Sequence, residues 1–421
     1  MNVELKKLSR SIYIAILATI LAVIALIWVF SRSFVTLKVI PYEAELTIDD
    51  KAVQSISSGT FRLNLSPENH NVKIEADGYV GLNTTLSLKR GFMKQILFEL
   101  KTTPKPVEIS NGAEYIVKGS DFNDGYYLGN GGKTLYKLKV GLTEDGTIEI
   151  IKNTPITDAR LTGVKEIIWS PTKELALLRK AGEMTIFDFK KYDFVNQTEL
   201  PWGKDVGAVA WSPDNSKIAY YYATNGEKSL VFSNIANTEV TRIANFSERG
   251  IENPILKWSP DSQWLLIIPR NSDRSKNKIY LFNTYSRTFK TLTDNGGQLD
   301  ASFSPNGNKI LYGTYQSDPE SPVFSALSIM NIDGSDKRTL GIFAEISKTA
   351  WEKDSKNVVI ATYDSKTKNE SIFKFDTDNK KNSGFIIRDF GKIFINTLFI
   401  SDDEKMILYQ TSDGIFAIKV E

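Results

Sequence analysis

The sequence predicts an all-β protein apart from one N-terminal transmembrane helix: a small β-sandwich followed by a seven-bladed β-propeller, with six blades as the alternative. Three observations point there. An aromatic-Ser-Pro-Asp pattern recurs through the C-terminal three-quarters of the 421 residues, an uncharged apolar stretch fills 11–30, and residues 34–100 alternate apolar and polar. A self-similar period in the forties, built from strand formers, is the signature of propeller blades, whereas strict alternation marks half-buried strands.

Residues 1–10 carry Lys6, Lys7 and Arg10, a bias that holds an N-terminus in the cytoplasm. As a helix, residues 11–30 would rise about 30 Å, the depth of a hydrocarbon core. Tyr13 and Trp28 fall near the two ends, where interfacial aromatics sit. The expectation is an uncleaved signal anchor in a bacterial cytoplasmic membrane, single-pass, with the C-terminal domains extracytoplasmic. A cleaved signal peptide is the rival, and this apolar core would be long for that role. With no Cys in the chain there is nothing to lipidate.

Residues 34–100 read as a compact β module. Val35–Val39 alternates, Pro41-Tyr42-Glu43-Ala44 turns, Glu45–Ile48 resumes, and Asp49-Asp50-Lys51 makes a tight hairpin. Phe61–Leu65, Asn71–Glu75, Asn83–Leu88 and Lys94–Leu100 supply further strands, giving a sandwich with one buried face per sheet. The stretch resembles a PEGA domain through Pro41 to Ala44, Asp49 to Lys51, Pro67 to Val72 and Gly78-Tyr79. It departs from that pattern where Tyr42-Glu43 replaces Glu-Gly and Asp50 replaces the hairpin Gly. The resemblance implies a bacterial, extracytoplasmic module with no catalytic residue of its own.

Alternating Pro in 101–106 marks a short, extended linker. The propeller is expected over 107–421. Its motif stands at Trp169-Ser170-Pro171, Trp211-Ser212-Pro213-Asp214, Trp258-Ser259-Pro260-Asp261 and Phe303-Ser304-Pro305-Asn306, with weaker copies from Trp351 and Ile400, in steps of 42 to 49 residues. Each copy separates two apolar runs, and a third strand and a more polar fourth follow, as a radial blade with a wet outer edge requires. In the turn, Pro presets φ, Asp tolerates the next position, and Asn or Gly accepts the left-handed conformation after it. Asn215 and Gly307 suit that last slot. Ser262, Ser355, Lys173 and Glu404 do not, so their turns are expected to differ in type.

The motif tryptophans are expected to pack between blades. Only two strands remain after Ile400 besides its own, so Val107-Glu108-Ile109-Ser110 is expected to complete the last blade and close the ring. The alternative of six blades holds if 113–152 is irregular. These repeats resemble those of TolB-type propellers, whose hallmark is a Trp/Phe-Ser-Pro-Asp-Gly turn followed by a strand. The resemblance implies a fold and not a function, because such propellers serve as translocation factors, peptidase gates and scaffolds.

Composition narrows the chemistry. A net charge of +2 from 52 basic and 50 acidic residues gives no field for nucleic acid. No Cys and one His, His70, leave no thiol nucleophile, no Cys-based zinc site and no convincing triad. Neither a Gly-x-Ser-x-Gly elbow nor a phosphate-binding glycine loop occurs, and 129–132 reads as a hairpin turn. Asp121–Gly125 is only faintly like a calcium loop. No catalytic residue, metal or cofactor is expected.

Aromatics outside the strands are the better lead, and Trp202, Tyr126 and Tyr127 are the candidate binding residues. The expected function is a membrane-anchored, non-enzymatic scaffold whose blade loops or funnel take an envelope or extracellular protein or glycan. The alternatives are an extracytoplasmic hydrolase or lyase with acids in the funnel, and a purely structural envelope protein.

Overall fold

The computed structural model describes residues 12–420 except 24–32, 77, 92, 113–114, 122–123, 130–133, 157–163, 173, 182–186, 194–197, 204, 317–324, 365 and 379–383. Two compact units divide at Thr103/Pro104.

The transmembrane expectation does not stand. Helix is described over 12–23, a length of about 18 Å against the roughly 30 Å of a hydrocarbon core. No described helix is long and apolar enough to cross a membrane. The single-pass anchor at 11–30, and the cytoplasmic-membrane localisation built on it, are corrected accordingly. A run of apolar residues satisfies a hydropathy count without fixing how many of them are helical. Lys6, Lys7, Arg10 and 24–30 lie outside the described residues.

In the first unit, two sheets face each other. One orders Thr60–Leu65, Ser33–Ile40 and Met93–Glu99; the other orders Lys51–Val53, Glu45–Ile48, Asn69–Glu75 and Leu82–Ser87. Alternation decides which side chains go inside: Val35, Leu37, Val39, Leu46, Ile48, Phe61, Leu63, Val72 and Ile74 form one core. Asp49 and Asp50 both take positive φ (49° and 63°), as a two-residue type I′ hairpin requires.

The described residues of the second unit form seven four-stranded sheets. Tyr115–Asp121, Asp124–Gly129, Thr134–Leu142 and Ile148–Ile156 make the first, so the segment supplies a four-stranded blade of its own. Each later blade opens on a motif strand: Val164–Trp169, Val206–Trp211, Ile255–Trp258, Gln298–Phe303, Thr349–Trp351 and Thr397–Ile400. Val164–Trp169, Val206–Trp211 and Ile255–Trp258 lie beside one another in turn, as do Thr349–Trp351 and Thr397–Ile400.

The seventh blade takes Val107–Asn111 as its outer strand, antiparallel to Gly414–Lys419. Gly414 permits that closure, since a Cβ there would come within 2.0 Å of the Ser110 carbonyl oxygen. Each neighbouring pair of blades, including the seventh with the first, shares one apolar cluster. The motif tryptophans supply those seams as expected. Trp169 packs on Leu128 and Leu135, Trp211 on Leu177, and Trp258 on Ala210, whose carbonyl also accepts the Trp258 indole N–H at 2.9 Å.

The motif turns show why the pattern reads Ser-x-Asp. The Ser hydroxyl accepts the backbone N–H five residues on (Lys217 to Ser212, 2.9 Å; Met406 to Ser401, 2.8 Å). It donates to the side chain two residues on (Asp214 and Asp403, both 2.6 Å). Those carboxylates also accept a backbone N–H, and although burial opposes it, the hydrogen bonds hold Asp214 and Asp403 below the usual carboxylate range.

The expectation that Ser262, Ser355 and Glu404 form other turn types is corrected. All three adopt the same left-handed backbone as Asn215 and Gly307, with φ near +60°. Their side chains compensate by capping the preceding blade: Asp214 N–H donates to Ser262 at 3.1 Å, Asn306 N–H to Ser355 at 2.9 Å, and Lys353 N–H to Glu404. Lys173 lies outside the described residues.

Ser355→Ala should therefore destabilise the propeller by about 1 kcal/mol. Ser355→Gly should lose the same bond but relieve a comparable left-handed strain, and so end near wild type. Urea melts of both variants check this, and equal losses would remove the cross-blade bond from the explanation.

Candidate functional site

The three aromatic candidates sit on strands. Trp202 lies in Thr198–Gly203, the outer strand of the second blade, and is 7% exposed, edge-on to Tyr220 at 5.2 Å. Pro201 made this segment look like a turn. At a blade's outer edge, however, alternate N–H groups face solvent, so a strand there tolerates a proline. Tyr127, 3% exposed, stacks on Tyr136 at 4.8 Å and donates its hydroxyl to Asn153 at 2.9 Å. Half-buried Tyr126 stacks on Trp169 at 4.5 Å. The structure does not bring the three together at an exposed surface.

Other sequence leads also resolve into structure. His70 is buried in the first unit between Asp49 and the Ser66 carbonyl. Residues 122–123 of the faint calcium loop and 130–132 of the glycine turn lie outside the described residues. Among the described residues no cluster of His, Cys, Asp and Glu could hold a metal.

What sequence reasoning missed is a cavity of about 500 Å³, within the usual range for ligand pockets. Its lining comes from four consecutive blades: Glu166 and Arg179, then Gly207 to Val209, then Asn253 to Lys257 with Arg270, then Asp300. Inner strands run towards the Ser-Pro turns and these residues precede or follow them, so the cavity lies at the opposite end of the inner strands.

Arg179 reaches Glu166 at 2.7 Å and donates to the Gly207 carbonyl at 2.7 Å. Burial pulls its pKa down and Glu166 opposes that. Lys257 pairs with Asp300 at 2.7 Å. Three cations thus face two anions. Arg270 is exposed, and its guanidinium has no ion-pair or hydrogen-bond partner among the described residues. The signal that could have found the site is a charged residue next to, or two residues from, a buried position of a blade's first or second strand. One repeat shows it weakly, and only the ring brings the copies together.

Chemically, the cavity offers one uncompensated cation inside a concave polar wall. Glu166 and Asp300 are each held by a base, and no buried carboxylate shares the space.

A family profile described as PD40, TolB beta propeller domain, matches residues 183–416. No curated protein matches the chain. Among solved structures, similarity extends to hydrazine synthase of Kuenenia stuttgartiensis, at 11% identity over 75% of this chain and 97% of that one, TM-score 0.49. TolB from Acinetobacter baumannii is 13% identical over 88% of this chain and 78% of its own, TM-score 0.41. The β-propeller domain of the Trilobed protease from Pyrococcus furiosus is 14% identical over 59% and 78%, TM-score 0.43.

Proposed function

The chain belongs to the PD40 family of TolB beta-propeller domains, and on that premise we propose that it is a non-enzymatic binding scaffold that seats an anionic group of a partner protein in the inner-strand cavity. One observation carries this reading: Arg270 remains uncompensated among five charged residues that otherwise pair off. A rigid ring holds that cation in place before the partner arrives, so little ordering is needed on binding. The acids beside it are engaged by bases, which suits recognition better than proton transfer. The first unit is read as a PEGA-like companion module, supported by its Pro41–Ala44 turn, closed by the Ala44 N–H on the Pro41 carbonyl, and by its Asp49-Asp50 hairpin.

Titrating the full chain with labelled, capped oligoglutamate should show binding that oligolysine does not share. Arg270→Ala should weaken it about tenfold at low salt, and Arg270→Glu should weaken it further. Polygalacturonate serves as the glycan comparison, and its preference over oligoglutamate would move the partner to a glycan. Equal affinity of wild type and both variants would sink the site.

A further inference from the structure

The first unit carries an independent candidate, on the flank of its sandwich. Lys51–Val53 pairs with Glu45–Ile48 on one side only and is the edge of its sheet. Hydrogen-bond parity along this hairpin follows from the neighbouring ladder. Asp49 N–H donates to the Asn71 carbonyl at 3.0 Å, and alternation then turns the peptide groups of Thr47 towards Lys73, its partner in Asn69–Glu75. Thr47 faces Ala52 across the hairpin. Ala52 therefore points its own N–H and C=O away from Thr47, towards the open edge.

Beside that edge runs a groove of about 620 Å³. Leu46, Val53 and Phe61 contribute apolar wall, and the exposed ring of Tyr42 stands on the rim. Glu43 and Glu45 are the only charged residues of the lining, and both are exposed. Neither has an ion-pair partner among the described residues, so the groove has a net charge of −2.

We propose that this edge accepts an added strand: an extended segment of a partner protein that alternates apolar and basic residues. Main-chain bonds to Ala52 would supply the pairing, and side chains of alternate parity would separate, apolar towards Val53 and Phe61, basic towards Glu43 and Glu45. An acidic segment would meet like charge on the rim. Charge complementarity, and not the apolar floor alone, selects the occupant.

The test titrates the full chain with a labelled, capped peptide alternating lysine and valine, followed by fluorescence anisotropy. Wild type should bind it, and a glutamate–valine peptide should not compete. Ala52→Pro removes the outward N–H while leaving the hairpin bonds of Lys51 and Val53 intact, and should weaken binding about tenfold or more. The double variant Glu43→Lys, Glu45→Lys should do the same. Should Ala52→Pro fail to fold, a lysine–valine peptide N-methylated at every residue, which blocks the ladder in either strand orientation, asks the same question of unaltered protein, and it should fail to bind.

Full affinity for the N-methylated peptide, or for Ala52→Pro, would show that charge alone holds the ligand and would overturn strand addition. No binding of either peptide would overturn it as well. Self-association of the chain that Ala52→Pro abolishes would replace the partner segment with a second copy.

Discussion

Lys348→Met is expected to lose about 3–5 kcal/mol of stability, the largest effect of any single change considered. Lys348 ends the short turn Ile346–Lys348 ahead of the sixth blade's inner strand, and Glu370 is the second residue of that blade's third strand, Asn369–Asp376. Both are 1% exposed, and their charged atoms stand 3.0 Å apart. The ammonium also stands over the Phe394 ring, 3.5 Å from its centroid.

Burial pulls the lysine's pKa down and the glutamate's up, and in each case it outweighs the attraction between them. One Glu370 oxygen, Oε2, also lacks a hydrogen-bond partner among the described residues. A pair in this state adds little net stability, yet either member left alone is an uncompensated buried charge. The double variant Lys348→Met, Glu370→Leu should therefore return to within about 1 kcal/mol of wild type. Denaturant unfolding of the two single variants and the double measures this directly. A double variant as unstable as Lys348→Met would refute the account.

The second large effect is expected at His70. Its Nδ1 lies 2.6 Å from the Asp49 carboxylate and its Nε2 2.9 Å from the Ser66 carbonyl. Both partners accept hydrogen bonds, so only the doubly protonated ring satisfies them together. Burial pulls the imidazole's pKa down, but the bonds to Asp49 and Ser66 outweigh it and the pKa stands above its ordinary value, with Glu68 adding to the rise.

A pKa raised by folding contributes stability that is complete below the unfolded value of about 6.5 and is lost as pH climbs through the folded value. The first unit should accordingly weaken between mildly acidic and mildly basic pH. His70→Ala should cost about 2 kcal/mol at pH 6 and less at pH 8. Amide exchange across 45–53 and 69–75 reports this without relying on a single unfolding transition for two units. A loss of protection that is the same at both pH values would leave His70 with a packing role only.

The blades were legible because each repeat states its own local physics. Trp-Ser-Pro-Asp names an inner strand, a turn and a returning strand within a dozen residues, and Val107–Ser110 was identified as the closing strand from what the last repeat lacked. Thr198–Gly203 was missed because Pro201 argues against a strand until its position at an outer edge is known. Ser355 and Glu404 looked wrong for a left-handed residue because their compensation lies in another blade. The 11–30 stretch erred the other way: apolar composition alone carried the prediction of a spanning helix, and the described helix covers only part of it.

By itself the sequence determined the strand order, the repeat, the inter-blade tryptophans and the absence of thiol chemistry, since these depend on neighbours within a few residues or on residue counts. Tertiary structure alone decided that Trp202 and Tyr127 are buried, that Lys348 meets Glu370, and that Arg270 stands beside two completed ion pairs. Those facts depend on which charges and rings from separate repeats share one space. A ring of blades sets that by closure, at separations that no local pattern encodes.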